Sequence, residues 1–305
     1  MISVVILSYN TLAITLDCLI FLFKSKGMEL EVIVIDNAST DGSAEAIAKK
    51  FPQVKLVKNS SNLGFAKANN QGMQMAKGDI FLLLNSDVFV LPDTLATCQK
   101  YLDKFAVVGC KLLNADGSIQ FSWGYFPTLF RIYLLMSFID NFPIIKSLVH
   151  SIHVRDISQY TQSREVDWVT GAFMMLKNEV FAKTGGIDEK YFMYGEEMEW
   201  MYRVNQAGLK VGYIADASAT HLGGASTKSQ SKMFSSEMKG YFYWFNKHNP
   251  HWQIPILKFI LVSGLIYKAK TWTILGWILG KSSLGRDYWQ AFRDIRDEVF
   301  DRPAK

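Results

Sequence analysis

Asn85-Ser86-Asp87 sets an amide, a hydroxyl and a carboxylate directly after five uninterrupted apolar residues, Ile80 to Leu84. Such a run between turn formers reads as a strand buried on both faces, so the polar triplet emerges where that strand leaves its sheet. In an open α/β sheet, ligands gather at the carboxyl ends of the strands. An acid there can hold a hard cation such as Mg2+ or Mn2+, and the cation can hold a diphosphate. The same residues also suit a plainer purpose, with Asp87 capping the helix that Pro92 announces and Asn85 turning the chain. Two further polar clusters follow apolar runs in the same way: Ser8-Tyr9-Asn10 after Ile2–Leu7, and Asp36 to Ser43 after Glu31–Ile35. Glu196-Glu197 opens a predicted helix, where carboxylates are favoured by the dipole in any case.

The elements that must position these groups alternate. A strand at Ile2–Leu7 leads through Thr11, a potential cap, into a helix ending near Ser25. A strand at Glu31–Ile35 and a polar loop precede a helix over Ala44–Lys50. A short strand at Val54–Val57 and the segment Asn59–Gly64 precede a helix over Phe65–Ala76. The central strand, a helix after Pro92 and a strand near Ala106–Cys110 complete the pattern. Strands alternating with helices predict a doubly wound, mostly parallel α/β sheet flanked by helices, with a nucleotide-binding half in residues 1–110. Beyond a turn at Asn114–Gly117 the pattern loosens. Residues 121–150 are aromatic and aliphatic, from Trp123 and Tyr125 to Phe138 and Phe142, and are compatible with packed core, an acceptor lid or a membrane-facing loop. Regular structure returns over Val166–Leu176, a helix over Glu196–Gln206 and a strand at Lys210–Ile214, ending in Ala219-Thr220-His221-Leu222-Gly223-Gly224. The stretch Trp252–Leu279 mixes apolar residues with Lys258, Lys268 and Lys270 and with Trp252, Trp272 and Trp277, followed by Lys281. It suits either an interfacial helix or a packed helical pair.

Composition narrows the classes. In 305 residues, 49% are apolar, 14% aromatic and 20% charged, with a formal charge of +5. No Lys/Arg run is dense enough to argue for nucleic acid, while a membrane surface is compatible with the basic excess. Cys18, Cys98 and Cys110 lack metal-ligand spacing and read as reduced core thiols of a cytosolic protein. The chain enters an apolar strand at once and has no basic leader, so no signal peptide is expected. No stretch reaches the roughly 20 apolar residues of a spanning helix.

Taken in order, Val4–Asn10, Val34–Ser43, Asn62-Leu63-Gly64-Phe65-Ala66 with Asn70-Gln71-Gly72, Leu83–Asp87, Trp168–Phe173, Gly185–Glu189 and Glu196-Glu197 with Arg203 resemble an inverting, family 2-type glycosyltransferase. The resemblance spans residues 2–226 and implies the GT-A fold. The NLGFA form and the Asn-x-Asp in place of Asp-x-Asp look most like bacterial rhamnosyltransferases of cell-surface polysaccharide synthesis. By this resemblance Tyr9 lies against the base of a nucleotide-sugar and Asp36 bonds the base or ribose, a carboxylate suiting the ring N–H of uracil or thymine but not adenine. Asn62, Gly64 and Asn70 resemble the element that closes on the ribose and diphosphate, with Ser8, Asn10, Asn85 and Ser86 completing the nucleotide side. Where that helix usually carries a basic residue this chain has Asn69. Asp87 would be the main ligand of a divalent metal, Mn2+ or Mg2+, with Asn85 reaching it only through water. His221 resembles the histidine that completes the metal site. The second acid of the pair, Glu197, would be the general base, with Trp168, Asp188 and Glu196 on the acceptor side.

The expectation is therefore a metal-dependent inverting glycosyltransferase, with a catalytic domain over 1–226 and a helical C-terminal region over 227–305 that suits a membrane interface. The donor would be a pyrimidine nucleotide-sugar, with dTDP-rhamnose first and a UDP-hexose second. The acceptor would be a saccharide or lipid-linked saccharide, used in the cytoplasm at the inner face of the cell membrane. A nucleotide-sugar-binding subunit without turnover is disfavoured by the presence of Asp87, Glu197 and His221. A nucleotidyltransferase would want a Gly-rich basic phosphate loop where Ser8-Tyr9-Asn10 stands.

Overall fold

The computed structural model describes residues 1–139, 149–191, 193–223, 229–280 and 282–301. Its elements in chain order are β1 (Ile2–Ser8), α1 (Leu12–Leu22), β2 (Leu30–Asp36), α2 (Ser43–Lys50), β3 (Lys55–Lys58), α3 (Gly64–Met75), β4 (Ile80–Asn85), β5 (Val88–Val90), α4 (Thr94–Lys100), β6 (Val107–Leu113), β7 (Ile119–Gln120) and β8 (Trp123–Gly124). There follow α5 (Leu129–Ser137), β9 (Arg164–Val166), β10 (Trp168–Val169), β11 (Phe173–Lys177), α6 (Asn178–Thr184), α7 (Glu196–Gln206), β12 (Val211–His221), α8 (Gln230–His248), α9 (Gln253–Ile278) and α10 (Ser282–Asp301). The chain divides into two compact units, residues 1–124 with 156–226, and residues 125–155 with 227–305.

The first unit is built on one sheet of order β3-β2-β1-β4-β11-β6-β12-β5, with β7 on β6 and β9 on β12. The run β3-β2-β1-β4 is parallel throughout, as continuous Val/Ile/Leu strands buried on both faces require. Val4, Val5, Ile6, Leu82 and Leu83 are all inaccessible to solvent. Helix α3 lies close against β1 because Gly72 has no side chain; a Cβ there would fall 2.3 Å from Val5 Cγ1. Two details differ from the sequence expectation. The antiparallel strand β11 inserts between β4 and β6, so β6 does not continue the parallel half directly. Strand β12 runs past Ile214, through an irregularity between Ile214 and Ser218, to His221.

The second unit is helical, with α9 packed on α5, α8 and α10. Residues 129–137, read from sequence as part of a possible loop, form a helix that buries Ile132, Leu134, Leu135 and Met136; Phe142 lies outside the described residues. Helix α9 is a single 26-residue element, roughly 39 Å long at 1.5 Å per residue. Pro255 does not break it, because it stands in the first turn, where no intrahelical N–H partner is lost. Gly264 is where Met136 of α5 seats, an added Cβ falling 2.5 Å from Met136 Cβ. Among the described residues no helix is long and apolar enough to cross a membrane.

Candidate active site

The parallel register lines up the polar strand ends. Ser8 is opposite Asp36, and Leu7 is opposite Asn85, so the ends of β2, β1 and β4 stand side by side at strand spacings of about 4.8 Å. Tyr9 follows at this rim, half-buried. Asn10 takes φ 53° and ties two loops together, its N–H donating to Ser39 Oγ at 2.9 Å and its Oδ1 accepting from Thr40 N at 2.8 Å. Ser8 and Ser86 turn inward. Their hydroxyls join Thr11 and Thr15 in a buried cluster with spacings of 3.0–3.4 Å, which holds the start of α1 to the end of β4.

Asp36 is 3% exposed; its Oδ1 accepts from Ser39 N at 3.0 Å, and its buried Oδ2 has no hydrogen-bond partner. An acceptor withdrawn from water without a donor costs about 1–3 kcal/mol, and a ligand N–H would satisfy it. Next to it, Asn37 clamps the following segment: its amide donates to Asn62 Oδ1 at 2.8 Å and accepts from Leu63 N at 3.1 Å. Asn62 in turn accepts from Gly64 N at 2.9 Å, and Gly64 starts α3 at φ 79°, a left-handed value that favours glycine.

Asp87 and His221 meet because β5 and β12 are antiparallel with Val88 opposite His221. Asp87 Oδ1 lies 3.2 Å from His221 Nε2, both side chains being largely withdrawn from solvent. A carboxylate oxygen and an imidazole nitrogen converging on one point are a donor set suited to Mn2+ more than to Mg2+. Among the described residues no group of three or more His, Cys, Asp or Glu side chains could hold a metal. A cation at Asp87 and His221 would therefore complete its shell from water and from its ligand's own oxygens. Gln120 supports the histidine, with Oε1 2.5 Å from His221 Nδ1. The sequence reading missed Gln120.

Helix α7 begins after two left-handed residues, Tyr194 at φ 75° and Gly195 at φ 95°. Glu196 is 4% exposed with Oε2 unpartnered. Burial first, and the neighbouring Glu197 charge second, push its carboxyl well above the usual range. Glu197 is less buried and faces the 170–172 turn, where a Cβ on Gly171 would fall 3.9 Å from Glu197 Cβ. Glu199, also missed from sequence, is wholly buried and bridges Arg203 at 2.9 Å. Arg203 donates to the carbonyls of Thr184 and Gly186. Asn70 fastens the same loop, its amide spent on Ile187 N, Ile187 O and Glu189 Oε1 at 2.8–3.0 Å. It stands two turns into α3, and all three of these bonds run to the 187–189 loop that leads to Asp188. Trp168 is 3% exposed on β10, paired with Gly124, so it is core and offers no open face to a sugar. A cavity of about 400 Å³ lies elsewhere, lined by Ile80 at the start of β4, Ala96 and Gln99 on α4, and Lys177. It faces the amino end of β4, away from every strand-end acid.

A family model described as "Glycosyl transferase family 2" matches residues 3–171. The chain is 25% identical over 245 residues to an N-acetylglucosaminyl-diphospho-decaprenol L-rhamnosyltransferase of Mycobacterium tuberculosis, covering 74% of this chain and 78% of that protein. It is 28% identical over 192 residues to the rhamnosyltransferase WbbL of Escherichia coli K12, covering 59% and 69% respectively. The structure of mannosyltransferase PcManGT from Pyrobaculum calidifontis, in complex with GDP-Man and Mn2+, aligns with a TM-score of 0.60 at 17% identity, covering 99% of this chain and 88% of that one. At that identity the likeness is one of fold.

The buried Glu196 makes a prediction about pH. Its carboxyl keeps its proton to higher pH in the folded than in the unfolded chain, whose value is near 4.5. The native state therefore binds more protons in that window, and stability falls as pH rises through it. Glu196→Gln is expected to flatten this fall between about pH 5 and pH 8 and to stabilise the chain at the upper end, as read by urea denaturation at both values.

Proposed function

This chain belongs to glycosyltransferase family 2, has the GT-A fold and is a glycosyltransferase, and from that premise we propose that it is an inverting, metal-dependent enzyme using a pyrimidine nucleotide-sugar. The first candidate is dTDP-rhamnose, in keeping with the rhamnosyltransferase relatives, and the second is a UDP-hexose. The observation that carries the nucleotide assignment is the unpartnered Oδ2 of Asp36 at the strand-end rim. A uracil or thymine ring N–H would supply the missing donor, with Tyr9 beside it. Asn62 and Gly64, braced by Asn37, would border the ribose and diphosphate. Ser8, Ser86, Asn10 and Asn70 act one step back, holding the loops that the ligand meets.

Asp87 and His221 would hold a divalent cation, with Asn85 reaching it through water. When bound, that cation supplies Lewis-acid relief of the charge on the departing nucleoside diphosphate, worth several kcal/mol. The chain's own work is to position and to accept a proton. Glu197 takes the proton from the acceptor hydroxyl as its oxygen bonds to the anomeric carbon from the face opposite the diphosphate. The bond from that carbon to the phosphate oxygen breaks with its electron pair, and configuration inverts. Burial and the neighbouring Glu197 charge raise the carboxyl of Glu196, which favours its neutral form beside the proposed base. Asp188, on the loop fastened by Asn70 and Arg203, would border the acceptor. The acceptor is a saccharide or lipid-linked saccharide of a surface polymer.

The helical unit supports a lipid-side reading. Trp252, at the cap of α9, and Ile256, Phe259, Ile274 and Trp277 on it follow helical spacing along one exposed stripe, with Phe259 at 73% and Trp277 at 83% exposure. Lys270 lies on the same face, whereas Lys268, counted from sequence among the lipid-facing lysines, is only 8% exposed and sits over the Phe138 and Tyr288 rings. Lys281 lies outside the described residues. Indoles at headgroup depth and lysine heads on anionic lipid are what an interfacial helix presents.

Calorimetry with Mn2+ is expected to rank UDP or dTDP above ADP and GDP, and Asp87→Ala is expected to lose the Mn2+-dependent part of that affinity. Equal or tighter purine binding would overturn the nucleotide assignment, and diphosphate affinity indifferent to both EDTA and Asp87→Ala would overturn the metal. Glu197→Gln should keep donor binding and lower kcat by at least about 100-fold, the scale of lost general-base catalysis; a dead Glu196→Gln beside an active Glu197→Gln would move the base by one residue. Phe259→Ser with Trp277→Ser should release the chain from anionic liposomes in low-salt co-sedimentation. A wild-type chain that stays in the supernatant would sink the membrane reading.

A further inference from the structure

Gln120 ends β7, opposite Leu112 of β6, and its amide is held at both ends. Its Nε2 donates to Asn114 Oδ1 at 3.0 Å and to the carbonyl of His221 at 3.3 Å. Asn114 is itself fixed, its Nδ2 donating to Ser118 Oγ at 2.9 Å within the 114–118 turn. Both partners of Nε2 are acceptors, so this network assigns the nitrogen end of Gln120 to them and turns its oxygen toward His221 Nδ1, 2.5 Å away. An amide oxygen only accepts, so Nδ1 carries the hydrogen, and the neutral ring then presents a lone pair at Nε2. Nε2 is the atom that stands 3.2 Å from Asp87 Oδ1. Two acceptors facing each other at that distance repel unless positive charge lies between them.

We infer that Gln120 is a positioning residue that fixes the His221 tautomer, so that Asp87 and His221 present two open lone pairs to a divalent cation. Without an acceptor at Nδ1, the ring could move its hydrogen to Nε2 and donate it to Asp87. The pair would then close on itself in a hydrogen bond that competes with the metal. The turn Asn114-Ala115-Asp116-Gly117-Ser118 thus has a use beyond reversing the chain: through Asn114 it orients the amide that orients the imidazole. This rests on the reading of Asp87 and His221 as metal ligands, and it adds the group that holds them open. Partners of this kind around a ligating histidine typically change metal affinity by about 10–100-fold when removed.

The test needs one measurement on the unaltered chain and two on variants. Long-range 15N–1H correlation spectra of the metal-free protein, taken at a pH where the ring is neutral and with His221 assigned by the signals lost in His221→Gln, are expected to show the hydrogen on Nδ1; a neutral ring with its hydrogen on Nε2 overturns the inference without any variant. Gln120→Leu keeps the size and removes the acceptor. It should move the hydrogen to Nε2 and weaken Mn2+ binding in the presence of UDP by about 10–100-fold by electron paramagnetic resonance. Gln120→Glu keeps an acceptor at Nδ1 and should return both readouts towards wild type. Mn2+ binding by Gln120→Leu equal to that of wild type overturns the role of Gln120 alone. If wild type binds no Mn2+ in the presence of UDP, the metal reading of Asp87 and His221 fails, and this inference with it.

Discussion

A buried parallel sheet leaves its backbone and side chains only one place to be polar without penalty, which is where the strands stop. Here that constraint acts through register. Ser8 falls beside Asp36 and Leu7 beside Asn85, so chain segments far apart in sequence deliver their first polar residues to one rim. The antiparallel return of β12 against β5 then sets His221 against Asp87. Because the side-chain period of a strand is two, a slip of one residue in either pairing would turn these groups to the other face. Hydrophobic strands such as Val4–Ile6 and Leu82–Leu84 make such a slip costly, since every apolar side chain would change its environment with the acids. The apolar core and the chemistry are thus specified by the same register.

The rim is not a restful arrangement. Asp36 and Glu196 each keep a buried carboxylate oxygen without a partner, and Asn10, Ala38 and Tyr194 sit in left-handed backbone conformations at the loops around it. Residues other than glycine hold such conformations at a cost of order 1–3 kcal/mol each, and persist only where the surroundings over-determine them. Those surroundings can be named. Asp41, from the β2–α2 loop, caps the first N–H of α1 at Leu12, 2.9 Å away. Asn37 holds residues 62–64, and Asn70 with the Glu199–Arg203 pair holds residues 184–189. Each clamp saturates backbone groups that a mobile loop would leave to water. A site whose own acceptors are unsatisfied in the free chain keeps its shape because its neighbours' are satisfied.

How much of this was legible follows the same logic. Asp87, Asp36, Tyr9 and the Glu196-Glu197 pair could be found in the sequence because strand ends and helix starts announce themselves locally, as an apolar run followed by a polar cluster. The placement of β11 could not be, since Phe173–Lys177 reads as an ordinary apolar strand and nothing in it states that it runs antiparallel between β4 and β6. Gln120 was invisible for a similar reason: it stands in a two-residue strand, and its partners at 114 and 221 are joined to it only by sheet pairing. Glu199 was in plain view, four residues before Arg203 on a helix, the spacing at which such pairs meet. Trp168 shows the opposite error. An aromatic in a motif suggested a platform, but the sequence could not reveal that the indole is withdrawn from solvent, only 3% exposed.

Helix α9 carries an argument of its own about the second unit. A helix apolar on all sides is stable in water only if all sides are covered, and among the described residues α9 packs on α5, α8 and α10 while Phe259, Ile274 and Trp277 stay exposed. Its exposed stripe is rich in indole and phenyl groups rather than in the leucines of a helix-pairing seam, and Lys270 lies on the same side. Against a second copy of the same helix, like charges and bulky rings would meet their own kind across the interface. At a lipid surface the same groups separate by depth, the rings among the upper acyl chains and the lysine head among phosphates, with no partner geometry to satisfy. Lys268 completes the contrast. Turned inward between the Phe138 and Tyr288 rings, it spends its charge on the helical core, which leaves the outer stripe more apolar than the sequence count of lysines implied.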